Sequence, residues 1–538
     1  MRILLLICLI ASFHVAAQKQ NLSSKPKLVV GIVLDQMRHD LLYRFQERYG
    51  QNGFRRLMHE GNSCENALIN YLPSYTAPGH ACIYTGTVPA LHGIASNDWI
   101  ERQTGAWMYC TQDKSVEAVG GTSRAGKMSP KNLWASTITD ELRLSSNFNS
   151  KVIAVSVKDR ASIIPGGHTS NGTYWMDDSL GEFMTSTYFT NNLPQWVKDF
   201  NSRKLAKQYM NKEWNTLFPI SSYIQSTDDS NSYEGKFSGE SASSFPHLTS
   251  RLKLSDIKRT PYGNEILADF AKEAILSEKL GMGSYTDFLS VSFSSTDYIG
   301  HMFGPNSIEL EDTYLRIDKT IEDLLNFLDE HIGEGDYTIF LTADHGVAHN
   351  PQFLIDRKIP SGFFFAKPFK ESLNTHLNNV FKIQNLVKDV SENFVWLNDS
   401  VLNSTKVNRQ VIVNEIVLQA RKYPEIHFVV DMENIAIAPI PSTIKEMAIN
   451  GYVPNRSGDI LLLLKPAWLD AYAKTGTTHG TWNPYDTHIP LIWYGWGIKK
   501  GITYREVTMC DISATLASLL HIQMPNASIG KPILEVIK

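Results

Sequence analysis

Four apolar, β-branched runs in this chain stop abruptly at charge. Lys27–Leu34 ends at Asp35, Lys151–Val157 at Lys158-Asp159-Arg160, Phe288–Phe293 runs into a polar step that reaches Asp297, and Tyr337–Leu341 opens into Thr342-Ala343-Asp344. A short run apolar on both faces reads as a strand buried between two layers, which is the habit of parallel strands. A fifth run, Ile489–Tyr494, comes late in the chain. Helical periodicity fills the intervals: His39–Glu60, with Leu41, Leu42, Phe45 and Leu57 on one face, then Arg259–Leu280, Ile308–Ile332 and a closing helix, Asp511–Leu520. The alternation predicts an α/β fold, a doubly wound core around a mostly parallel central sheet flanked by helices. Two stretches break the pattern. Residues from about 166 to 260 are rich in Ser, Thr, Asn, Gly and aromatics, and those from about 367 to 465 mix helices with short strands. Both are expected as cap-like insertions into one domain spanning 18–538.

In open α/β sheets ligands gather at the carboxyl ends of the strands, so these terminal charges are expected to meet on one edge. Two of the acids come with a histidine, Asp297 with His301 and Asp344 with His345, and His479 stands in a glycine-flanked loop, Gly476–Gly480. Carboxylate and imidazole are the donors expected of zinc or a similar divalent ion. A single Asp-His pair is ordinarily a helix cap or a hydrogen-bonded pair. Repetition at strand end after strand end reverses that preference. Asp35, Asp297 and Asp344 with three histidines exceed what one open zinc site uses, and suit two metals.

The stretch Leu72–His80 supplies a hydroxyl. Thr76 is expected between a turn and a short helix, Ala81–Thr85, with Pro78 tolerated in the first helical turn. The free amides at a helix start favour a phosphate. A threonine hydroxyl is a weak nucleophile until a base or a metal activates it, and the acid–histidine set can provide that. Lys158 and Arg160, two apart after a strand, can both face the oxygens of a phosphoryl group.

Composition changes little except at the start of the chain. The chain has 538 residues, with 51 Lys and Arg against 55 Asp and Glu for a net charge of -4, and its basic residues are scattered, which gives no sign of a nucleic-acid partner. Arg2, the apolar run Ile3–Phe13 and Val15-Ala16-Ala17-Gln18 describe a secretory signal peptide, residues 1–17. That run is too short to span a bilayer comfortably. A periplasmic or secreted, monomeric protein without an integral membrane segment is expected. Cys64, Cys82, Cys110 and Cys510 remain after cleavage, and sequence chooses neither a pairing nor the free state.

Taken together, Val33–Arg38, Tyr75–His80, Asn97, Lys158–Arg160, Thr296–His301, Ala343–Gly346 and Thr478–Gly480 resemble, in order and over nearly the whole mature chain, the alkaline phosphatase superfamily and in detail its PafA-type members. The resemblance implies that Asp297, His301 and His479 hold one zinc and that Asp35, Asp344, His345 and the Thr76 oxygen hold the other. It implies two zinc ions, a covalent phosphothreonine on Thr76, and small-molecule phosphate monoesters as substrates, with Asn97, Lys158 and Arg160 binding the phosphoryl group. His488 competes with His479 for the ligand role. A nucleotide pyrophosphatase/phosphodiesterase would share every ligand and the threonine but lack the Lys-x-Arg pair. A non-catalytic binding protein on the same scaffold is the alternative of a different class. A sulfatase is disfavoured because it needs cysteine or serine where Thr76 stands.

Overall fold

The computed structural model describes residues 25–122 and 124–538. The signal peptide expected over 1–17 lies outside the described residues. Ten strands form the central sheet: β1 (Leu28–Leu34), β2 (Asn62–Cys64), β3 (Ala118–Val119), β4 (Val152–Ser156), β5 (Gly172–Asp177), β6 (Glu182–Ser186), β7 (Asp287–Phe293), β8 (Tyr337–Thr342), β9 (Leu491–Gly495) and β10 (Gly501–Thr503). Their spatial order is β10-β2-β9-β8-β1-β7-β4-β5-β6-β3. The middle five, β8-β1-β7-β4-β5, run parallel, and β9 and β6 are antiparallel to their inner neighbours. All seven residues of β1 and of β7 are buried. This is the physical meaning of their unbroken apolar runs: helices cover both faces.

Several expected elements shift for identifiable reasons. The helix expected over His39–Glu60 is broken into Asp40–Arg44, a 3-10 turn at Gln46–Arg48, and Phe54–Glu60. The break is held by Asp318, whose carboxylate accepts the Gly50 and Phe54 amides at 2.7 and 2.8 Å. A Cβ on Gly53 would fall 2.2 Å from Asp318 Oδ1, so only glycine lets the chain pass. The helix expected at Ala81–Thr85 begins earlier, at Thr76. Within the stretch read as the first insertion, β5 and β6 join the central sheet.

The second insertion has its own core. A four-stranded antiparallel sheet, with strands Val387–Ser391, Phe394–Leu397, Ile460–Leu464 and Ile426–Asp431 in spatial order, packs against helices Ala366–Phe381 and Arg409–Ala420. A further helix of the insertion, Ser442–Gly451, rests on the chain leading to Thr76, where the Leu72 amide donates to the Met447 carbonyl at 3.0 Å. A Cβ on Gly451 would lie 1.5 Å from the Leu72 carbonyl oxygen. Gly451→Ala is therefore expected to lower unfolding stability by about 1–3 kcal/mol, the usual cost of overpacking. Gly283→Ala, where nothing lies within 4 Å, serves as the matched control in the same urea titration.

Candidate active site and metal centre

Asp344, Asp35, Asp297 and Lys158 follow β8, β1, β7 and β4, which are consecutive neighbours in the sheet. The register aligns their ends, Val33 pairing with Thr342 and Leu34 with Phe293. The chain turns sharply just after β1: Gln36 adopts a left-handed φ of 70°. That turn sends its amide N–H to Asp344 Oδ1 at 3.1 Å and its side-chain amide to Asp297 Oδ1 at 2.7 Å. Strain of this kind at a non-glycine residue persists only where the surroundings hold it. Gly79 allows the Thr76 helix to lie directly on this edge, since a Cβ there would meet the Asp344 carbonyl oxygen at 2.4 Å. Thr76 Oγ1 comes to rest 3.3 Å from His345 Nε2.

The three carboxylates are buried together. Lys158 Nζ lies 2.9 Å from Asp35 Oδ2 and 2.5 Å from Asp297 Oδ2. Burial opposes the charged ammonium, but Asp297 and Asp35 outweigh it and raise the Lys158 pKa. Burial would also raise Asp297, yet His301 and Lys158 hold it well below the usual carboxylate range. Asp344 goes the other way, pushed well up by burial and by repulsion from Asp35.

Backbone carbonyls orient the three histidine rings. His301 Nδ1 faces the Thr477 carbonyl at 2.8 Å, His479 Nδ1 the Ser74 carbonyl at 2.8 Å and His345 Nδ1 the Gly346 carbonyl at 2.9 Å. Each carbonyl fixes the Nδ1–H tautomer and leaves the Nε2 lone pair directed into the site. Burial keeps His345 at about 4, and burial with repulsion from His345 and His301 holds His479 well below its ordinary value, so both lone pairs stay available at neutral pH. Two groups of donor atoms gather within 4.8 Å of one another: Asp297, His301 and His479, and Asp35, Asp297 and His345. Asp297 is common to both, and Asp344 Oδ2 lies 3.5 Å from His345 Nε2. Oδ1 of Asp35 and Oδ2 of Asp344 are buried and accept no hydrogen bond, and Oδ2 of Asp35 meets only the Lys158 ammonium. Buried carboxylate oxygens without donors are costly unless a cation meets them, so this set of oxygen and nitrogen donors fits divalent metal ions.

The basic pair lies beside this cluster. Arg160 Nη1 donates to the Tyr109 hydroxyl at 3.0 Å, and that hydroxyl donates to Asp159 Oδ1 at 2.5 Å. Arg160 Nε is buried without a partner. Asn97 Oδ1 accepts the Ala77 amide at 3.0 Å, which turns its NH2 away from the helix. His488 is elsewhere, its Nε2 on the Glu65 carbonyl at 2.9 Å and its ring stacked on His39. The structure thus brings together Asp35, Thr76, Asp297, His301, Asp344, His345 and His479 with Lys158, and leaves His488 out. The four cysteines are free and buried. Gln36 and Tyr109 carry no local signal in the sequence, because one is marked by an unusual φ and the other by a contact across fifty residues.

A sequence model of the family described as Type I phosphodiesterase / nucleotide pyrophosphatase matches residues 29–487. A Myroides odoratus protein named Calcium-transporting ATPase is 50% identical over 539 residues, 99% of this chain and 98% of its own. Alkaline phosphatase PafA of Elizabethkingia meningoseptica is 45% identical over 538 residues, 99% of this chain and 98% of its own. The crystal structure of wild-type alkaline phosphatase PafA matches with a TM-score of 0.94 at 45% identity, over 96% of this chain and 99% of that one.

The geometry separates the two competing histidines. His479→Ala is expected to lower bound metal by about one equivalent per chain in elemental analysis after dialysis against zinc, as loss of a direct ligand does. His488→Ala is expected to retain the full complement. The reverse pattern would transfer the ligand role to His488.

Proposed function

The chain belongs to the type I phosphodiesterase / nucleotide pyrophosphatase family, within the alkaline phosphatase superfamily and its PafA type, and on that premise we propose its reaction in detail. It is a phosphatase-type hydrolase that converts phosphate monoesters to alcohol and inorganic phosphate. The observation that carries the monoester reading is the Lys158–Arg160 pair beside a buried acid–histidine cluster. A monoester dianion carries more non-bridging charge than a diester, and two cations on one side of the phosphoryl position answer that charge.

Asp297, His301 and His479 would hold one metal ion, and Asp35, Asp344, His345 and the Thr76 oxygen the other. The mixture of carboxylate and imidazole supports zinc for both. Once bound, the two ions supply Lewis acidity at the attacking and leaving oxygens. Thr76 Oγ1 attacks phosphorus in line with the ester oxygen, so that a new O–P bond forms as the ester P–O bond breaks and the alcohol leaves with a proton. Water then cleaves the phosphothreonine, restoring the hydroxyl and releasing phosphate. Asn97 donates its NH2 to one phosphoryl oxygen, and Lys158 and Arg160 neutralise the others. Tyr109, held by Asp159, positions the Arg160 guanidinium.

Export to the periplasm or beyond is part of this reading, supported by the Arg2–Ala17 pattern. Among the described residues no helix is long and apolar enough to cross a membrane. The buried acid–histidine cluster beside the Thr76 hydroxyl supports phosphoryl hydrolysis over the transport in the name of the Myroides relative.

The zinc-loaded protein is expected to cleave an aryl phosphate monoester far faster than the matching methyl aryl diester, and to lose both activities on chelation. A diester preference would move it to the phosphodiesterase branch. Thr76→Ala should abolish turnover, with metal content kept by the remaining donors Asp35, Asp344 and His345. Lys158→Ala combined with Arg160→Ala should lower the monoester rate far more than the diester rate, and equal losses would refute the role given to the pair. Tyr109→Phe removes two hydrogen bonds to charged groups, from Arg160 and to Asp159, each worth roughly 1.5–3 kcal/mol. It should lower monoester kcat/KM by about tenfold or more while barely changing the diester value.

A further inference from the structure

A cavity of about 780 Å³ runs from Asn97, His301 and His479 outward beneath the second insertion. Its outer wall is built from the insertion and the strand that follows: Glu392, Asp470 and the fully exposed ring of Tyr472. Tyr75, the residue before the nucleophile, borders both regions, with its ring edge-on to His479 at 5.3 Å.

Glu392 and Asn393 form the two-residue turn of a hairpin between Val387–Ser391 and Phe394–Leu397, with φ values of 55° and 62°. Asparagine suits the left-handed positions of such a turn, whereas a glutamate there costs about 1–2 kcal/mol. The tip is fastened to the site on two sides. Asn393 Nδ2 donates to the Gly480 carbonyl at 2.9 Å, next to His479, and the Ser96 hydroxyl, next to Asn97, donates to Glu392 Oε2. The other Glu392 oxygen accepts no hydrogen bond, and neither oxygen of Asp470 has a hydrogen-bond or ion-pair partner among the described residues. Two lysines also reach the cavity. Lys367 stands at its exposed rim, where solvent and salt screen it, and the ammonium of Lys370 is taken by Asp389 at 3.0 Å. Glu392 and Asp470 remain as uncompensated charge. Burial pushes Asp470 up to about 6 and Glu392 up to about 7, where repulsion from Asp98 and Asp470 adds to burial and the Ser96 hydrogen bond opposes it. Both are therefore anionic in alkaline solution.

We propose that this cavity is a leaving-group subsite in which Glu392 and Asp470, beside the rings of Tyr75 and Tyr472, favour phosphate monoesters whose alcohol carries a positive charge over those whose alcohol carries a second anion. The inference rests on the phosphomonoesterase reading. An ammonium in this space gains two carboxylates and aromatic faces. A second anionic group meets a lining in which four acids, Glu371, Asp389, Glu392 and Asp470, stand against two lysines, Lys367 and Lys370.

The test compares kcat/KM for 2-aminoethyl phosphate and carboxymethyl phosphate, esters of similar size and opposite charge, at low ionic strength, with phenyl phosphate as reference. The holoenzyme is expected to favour the aminoethyl ester on the order of tenfold or more, the effect of one or two partly screened charges a few ångströms away. Glu392→Gln with Asp470→Asn should bring the ratio toward one, and Asp470→Asn alone, which removes charge without removing a hydrogen bond, should move it part of the way. A general structural loss lowers both esters together and leaves the ratio unchanged. A holoenzyme ratio near one, or a ratio that neither variant moves, overturns the subsite while turnover of phenyl phosphate keeps the phosphatase reading. No turnover of phenyl phosphate overturns that reading and the subsite with it.

Discussion

The carboxylates of Asp35, Asp297 and Asp344 are buried in one small volume, and the surrounding structure is arranged to bear that charge. Two like charges 4 Å apart cost on the order of 4 kcal/mol even at an effective dielectric constant near 20, and burial adds a penalty for each. The chain answers from several directions. Lys158 bridges Asp35 and Asp297. Gln36 donates to Asp297 through its side chain and to Asp344 through its backbone, and the His345 amide donates to Asp344 as well. These donors leave Asp35 Oδ1 and Asp344 Oδ2 without a partner of this kind. The remaining demand is for cations, and three imidazoles with their Nδ1 atoms on backbone carbonyls stand ready to share them.

Holding such a cluster requires a rigid support, which explains the character of the sheet. Parallel strands with both faces covered cannot slide without moving an entire apolar set out of the core, so the four strand ends keep their relative heights. The energy that tolerates a left-handed Gln36 and the close approach of Gly79 to Asp344 comes from that core. Loss of packing far from the site would therefore be felt first as misplacement at the strand ends.

The parts legible in the sequence are those whose signal is local. Buried strands appear as unbroken apolar runs, so Asp35, Lys158, Asp297 and Asp344 are recognisable as strand-end groups from the order of residues alone, and neighbouring histidines mark the likeness to metal sites. The parts that are not legible depend on partners distant in sequence. The break in His39–Glu60 is imposed by Asp318, more than two hundred residues later. The early start of the Thr76 helix depends on its packing against the Asp344 segment and on the Asn97 side chain, which takes the Ala77 amide. The entry of β5 and β6 into the main sheet is invisible to composition, because strands at a sheet's flank carry mixed polarity. Tyr109 reads as an ordinary strand aromatic until the fold carries it to Arg160.

A division of labour follows from where each group is anchored. Asp35, Asp297 and Asp344 follow strands of the central sheet and Thr76 opens the helix lying on it, where displacement is most costly. Glu392 of the proposed subsite belongs to the second insertion, which has its own hydrophobic core and shares a second one with Leu72, Ala77 and Ala81 of the segment that carries Thr76. The Glu392–Asn393 turn joins the insertion to the loops that carry Asn97 and His479. If the proposed subsite holds, the geometry that fixes the acid–histidine cluster in the sheet leaves substrate preference to the tip of a hairpin that the sheet strands do not pair with.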